Sequence, residues 1–160
     1  MIPGNPNHFL RCFSKLVSFA TLFLIFVGGL VTSTGSGLAV PDWPLSYGTL
    51  FPPMVGGVFY EHGHRMVAAT VGFLMLILAL SLARWEKRRW VRILGWAALG
   101  AVIAQGVLGG ITVLFFLPTT VSVFHGVLAQ TFFILTIVIA YSQSQERLLR
   151  ERENPKESSN

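Results

Sequence analysis

Glu61-His62-Gly63-His64-Arg65 opens directly into Met66-Val-Ala-Ala-Thr-Val-Gly-Phe-Leu-Met-Leu-Ile-Leu-Ala-Leu-Ser-Leu-Ala83, a run without a single charge. An uncharged apolar run of about 18 residues reads as a membrane-crossing helix. Ionisable and imidazole side chains at the mouth of such a helix are costly unless they face a partner, a bound group or water. The five-residue cluster is therefore a candidate functional site, and the question is what it faces.

Composition narrows the class. Of 160 residues, 52% are hydrophobic and 12% charged, about half the charge of an average soluble domain. The chain reads as an integral membrane protein. Its net charge of +5 sits in short connections between apolar segments. That is a topology signal, not a phosphate-binding face, so nucleic acid is not an expected partner. Cys12 is the one cysteine, which rules out an internal disulfide or a cysteine-based metal cluster. The first apolar run exceeds a signal-peptide core and no small-x-small cleavage site follows it, so it is expected to remain as an anchor.

Four segments are long enough to span the bilayer, at about residues 13–34, 64–83, 91–115 and 120–141. Residues 1–12 read as a flexible polar tail containing His8, and residues 143–160 as a charged, disordered one. Residues 84–92 are densely basic, Arg11 and Lys15 flank the first span, and Arg147, Arg150, Arg152 and Lys156 follow the last. The connection at 115–119 has no charge. Both termini and the basic connection are thus expected in the cytoplasm of a plasma-membrane protein. The long loop 35–61, with Trp43, Tyr47, Phe59 and Tyr60, lies outside and has the length of a lid or binding loop.

The chain repeats itself. His64-Arg-Met-Val-Ala68 corresponds to His125-Gly-Val-Leu-Ala129, and Gly28-Gly29-Leu-Val corresponds to Gly109-Gly110-Ile-Thr. Both helix pairs run the same way, so the repeat is parallel, about an axis along the membrane normal. The expected fold is all-α: a four-transmembrane-helix bundle made of two parallel-repeated helical hairpins.

In that bundle His64 and His125 lie at matched depth near the outer leaflet and face each other across the pseudo-two-fold. Two neutral imidazoles so placed suit the axial positions of a haem iron. Zinc wants three or four ligands, and only Glu61 and His62 are near enough in sequence to complete such a set. The bland alternative is two lone histidines, each hydrogen-bonded to a neighbouring helix. Glu61 precedes His64 by three residues and shares its face on a continuous helix. It is either a carboxylate working beside the iron ligand or an acid favoured by the helix dipole. Arg65 either meets a haem propionate or reaches to the interface, and His62 points to the loop. Gly28, Gly29, Gly106, Gly109 and Gly110 allow close helix approach or room for a flat ring. Gln105 and Gln130 call for interhelical hydrogen bonds.

Three stretches together resemble the haem A synthase family: Gly28-Gly-Leu-Val-Thr-Ser-Thr-Gly-Ser-Gly-Leu-Ala-Val-Pro-Asp-Trp-Pro44, Glu61-His-Gly-His-Arg65, and Gln105-Gly-Val-Leu-Gly-Gly-Ile-Thr-Val113 with His125 downstream. The resemblance implies a membrane enzyme that oxidises the C8 methyl of haem O to the formyl of haem A by successive hydroxylations. Members usually carry two similar four-helix bundles, each with a histidine pair for one haem. This chain covers one bundle, and its Glu-x-x-His matches the N-terminal, catalytic one. Glu61 then inherits the catalytic carboxylate role, and His64 and His125 the haem iron. The loop cysteines of some members are absent here. The implied partners are haem O, lipid, a haem O synthase as supplier, and a second copy or another half-synthase to restore two bundles. The non-catalytic alternative is a di-histidine haem protein for electron transfer or haem delivery in oxidase assembly.

Overall fold

The computed structural model describes residues 8–144. The charged segment beyond Ser144, with Arg147, Arg150, Arg152 and Lys156, lies outside the described residues, as do residues 1–7. Four helices follow in order: α1 (His8–Ser33), α2 (Gly57–Trp85), α3 (Arg89–Leu114) and α4 (Thr119–Ser142). At 1.5 Å per residue each exceeds the roughly 30 Å of a bilayer core, and all four are apolar enough to cross one. Among the described residues there is no strand, only one isolated bridge between Ser46 and Thr49. The protein is an all-α, multi-pass membrane bundle.

Two helix starts differ from the sequence expectation. α1 begins at His8 rather than 13, so the exposed His8 and Cys12 lie on its first turns. α2 begins at Gly57 rather than 64, which carries the whole 61–65 cluster into the helix. Hydropathy stops at charged residues, but a helix continues through them when their side chains find partners.

The helices close a ring in which α1 packs on α2, α2 on α3, α3 on α4, and α4 on α1. The diagonal pairs do not touch, so α2 and α4 face each other across the bundle axis. Lipid-facing positions carry bulky apolar residues such as Phe19, Phe26, Phe73, Ile103 and Phe124, as expected where the solvent is hydrocarbon.

The core is lopsided along the axis. One cluster of buried apolar residues gathers Leu10, Val17, Val71, Met75, Leu78, Leu82, Val91, Ala98, Phe132 and Ile139, all toward the end where the basic α2–α3 turn lies. That end is tied by Glu86, whose carboxylate accepts from the Arg88 backbone N–H, the Arg88 guanidinium and Gln143 Nε2, while Arg88 Nη2 donates to the Ser142 carbonyl. Burial pushes the Glu86 pKa up, but these donors outweigh it and hold the group at about 2, against an ordinary 4.5. Toward the other end, Val40 and Val113 are the only further fully buried apolar side chains among the described residues.

Candidate functional site

The repeat spaces both halves identically. Val71 follows His64, and Phe132 follows His125, by the same seven residues, about 10 Å of helix rise. Each histidine therefore stands the same distance outward from the packed floor. The interior positions around them are small: Gly28 on α1, Ala68 on α2, Gly109 on α3 and Ala129 on α4. A Cβ at Gly28 would meet His64 Cε1 at 3.1 Å and Nδ1 at 3.5 Å, and one at Gly109 would meet His125 Cε1 at 3.4 Å. Each histidine thus lies against the repeat-related glycine of the preceding helix. The two imidazoles lie within electrostatic range of each other, and the His125 ring lies beside the backbone carbonyl of Gln105.

Three polar atoms in this zone are buried without a partner: His64 Nδ1, His125 Nδ1 and Gln105 Oε1. Such atoms are uncommon in a finished interior and call for an explanation. The interhelical hydrogen bonds expected of the histidines, in the bland reading, and of Gln105 do not account for these three atoms. Gln130 is exposed. A flat macrocycle with a metal centre fits this donor set. Two neutral imidazoles come from diagonal helices at equal depth, with glycine behind each ring and little bulk between. The zinc alternative fails on geometry, because no three His, Cys, Asp or Glu side chains among the described residues converge on one point.

The rest of the 61–65 cluster turns to the loop, residues 34–56. Glu61 is 3% exposed. Its Oε2 accepts from the Val40 backbone N–H at 2.7 Å, and its Oε1 from Arg65 Nη2 at 2.6 Å. Arg65 Nη1 donates to the carbonyls of Asp42 (2.7 Å) and Leu45 (2.9 Å) and to Ser46 Oγ (3.3 Å), and Nη2 also reaches the Val40 carbonyl. Both readings given for Arg65, a propionate partner or an interfacial side chain, thus need correcting. Its guanidinium is committed to loop carbonyls and to Glu61, because only a five-donor fork can serve so many acceptors at once. His62 does point to the loop, but it is buried there. Its Nδ1 pairs with Ser46 Oγ at 2.8 Å, and its Nε2 is buried without a partner.

The loop itself is built rather than loose. The Asp42 carboxylate accepts from the backbone N–H groups of Tyr47 (2.7 Å) and Gly48 (2.8 Å), where Gly48 has φ of 70° and no Cβ to clash. The Gly48 hydrogen bond, with those of Tyr47 and the nearby Arg65 charge, lowers the Asp42 pKa. Tyr47 Oη donates to the Ala39 carbonyl. Trp43, next to a cis Pro44, lies against Gly110. Gly37 nears Leu117, which joins the loop to the α3–α4 turn. Sequence reasoning singled out Trp43 only as an interfacial ring and left Asp42 and Ser46 unassigned; the signal available was the turn chemistry of Asp42 and Gly48. An apolar groove of about 400 Å³ between α3 and α4, lined by Leu108, Val121, Phe124, Val127, Leu128 and Thr131, faces outward, since Phe124 and Val127 are mostly exposed.

Comparison with known proteins agrees with the geometry. A family model described as cytochrome oxidase assembly protein (COX15-CtaA) matches residues 11–58 and 54–160. A haem A synthase of Bacillus licheniformis is 31% identical over 149 residues, covering 88% of this chain and 49% of that protein. Another, from Exiguobacterium sibiricum, is 33% identical over 148 residues, 88% and 50% respectively. One from a Methylobacterium strain is 31% identical, 84% and 41%. The chain spans about half the length of the curated relatives it matches. No solved structure matches it. With the family model covering nearly the whole sequence and relatives above 30% identity along most of it, this chain belongs to the COX15-CtaA family of cytochrome oxidase assembly proteins.

Proposed function

We propose that the bundle acts in haem A biosynthesis, oxidising the C8 methyl of haem O to a formyl group by successive hydroxylations. The carrying observation is the pair of repeat-related imidazoles, His64 and His125, on diagonal helices at equal depth, each with Nδ1 buried and unpartnered. When bound, haem supplies iron-centred redox chemistry. His64 and His125 hold its two faces, and Gly28 and Gly109 leave the imidazoles room to turn toward it. Glu61, three residues from His64, is the carboxylate that moves a proton at the ring edge. Arg65 and the Val40 N–H keep it aimed. The fastened loop limits water from the outer side.

The relatives matched are twice as long, so a second copy, or another half-synthase, completes the two-bundle arrangement. A haem O synthase in the same membrane supplies the substrate. The placement of Lys and Arg supports a plasma-membrane orientation with both termini cytoplasmic and the histidines toward the outside.

One observation favours a second reading. Both Glu61 oxygens are engaged within the protein, as expected of a structural carboxylate in a non-catalytic di-histidine haem protein for electron transfer or haem delivery. Co-expression with a source of haem O separates the two. Haem A in the extracted pigment supports the synthase, whereas bound haem without any formyl product supports the carrier.

A further inference from the structure

The outer loop meets the bundle at two places with different chemistry. One is the polar clasp, in which Arg65 and Glu61 together engage Val40, Asp42, Leu45 and Ser46. The other is apolar. A Cβ at Gly110 would come within 2.6 Å of Trp43 Cδ2 and 2.7 Å of Cε2, so the indole rests directly on the α3 backbone. Gly109, the adjacent residue, is the one that lies against His125. The Trp43 indole and the His125 imidazole therefore rest on neighbouring glycines of one helix, with the clasp pinning the segment that carries Trp43.

We propose that Trp43 is a positioning residue that closes the outer end of the histidine site over His125, and that Arg65 acts through the loop to keep it there. The inference rests on the haem reading given above. It explains why the cluster beside His64 holds three side chains that never approach His125: Glu61, His62 and Arg65 fasten the lid that does. It also gives Gly110 a specific task, because no residue with a Cβ leaves the indole its seat. The unfastened loop would leave the ligand exposed to water from outside, and the bound ring free to leave.

The full chain in detergent, with haem b added as the probe, tests this in two independent ways. Without haem, hydrogen exchange of residues 36–49 reads the latch itself. Gly110→Ala and Arg65→Lys should each speed exchange there at least tenfold while α2 and α4 stay protected, and Trp43→Phe should stay near the parent rate. With haem, transfer to apomyoglobin reads the lid. Gly110→Ala and Trp43→Ala should raise the release rate at least fivefold without changing the low-spin spectrum, with Trp43→Phe restoring most of the retention. Unchanged exchange in both Gly110→Ala and Arg65→Lys overturns the latch, and faster exchange with unchanged release overturns its role over His125. A parent chain that takes up no haem overturns the role at His125 together with the haem reading, and exchange then decides the latch alone.

Discussion

Gly28 lies so close to His64 that a Cβ there would come within 3.1 Å of the ring, and the repeat sets Gly109 against His125 at 3.4 Å. The first distance forces the neighbour to give way; the second is ordinary contact. Gly28→Ala should therefore displace His64 and weaken haem binding by about 1–2 kcal/mol, roughly 5- to 30-fold. Gly109→Ala should be milder, and Gly29→Ala, with nothing within 4 Å, should leave binding unchanged. Haem titrations followed by absorbance check the order of the three.

The two ligands are equivalent by repeat and by depth, so their loss should be equivalent too. His64→Ala and His125→Ala should each abolish the low-spin absorbance, and neither should unfold the chain, since the packed floor lies about 10 Å inward of both. Circular dichroism alongside the visible spectrum separates loss of haem from loss of fold. A low-spin spectrum surviving in both variants removes the assignment.

Glu61 carries a sharper test because its two oxygens have different partners. Glu61→Gln keeps one acceptor but turns an N–H₂ toward either the Val40 N–H or Arg65, both donors. The variant should bind haem yet form no formyl product in cells supplied with haem O. Haem A at the parent rate would show that the carboxylate does not take part in the oxidation.

At the cytoplasmic-side turn, pH acts through Glu86. Its folded pKa, about 2, lies below the ordinary 4.5. The stabilisation is then fully present above about pH 4.5 and is lost as pH falls toward 2. Because the group is only half-buried, screening reduces its contribution to on the order of 1–2 kcal/mol. Thermal melts in detergent should show Glu86→Gln lowering stability at pH 7 and making no difference near pH 2.

Much of this was legible in the sequence, for identifiable reasons. Uncharged runs longer than a bilayer can only be helices, so four spans follow from composition. The internal repeat paired His64 with His125 without any knowledge of packing. What stayed hidden was carried by contacts between residues far apart in the chain. Arg65 reaches carbonyls more than twenty positions upstream, and nothing periodic announces an acceptor so distant. For the same reason the start of α2 was read at 64: Glu61, His62 and Arg65 look like the end of a hydrocarbon segment until their loop partners are known. Trp43 on Gly110 is a contact of shape between a loop and a helix, which spacing does not encode.

The visible spectrum of the purified protein, with its extracted pigment identified by mass, tests the central claim most directly. The account predicts a low-spin, bis-imidazole haem spectrum that vanishes in His64→Ala and in His125→Ala, with haem O or haem A in the extract. A protein that carries no haem, or whose spectrum is indifferent to both substitutions, would contradict it.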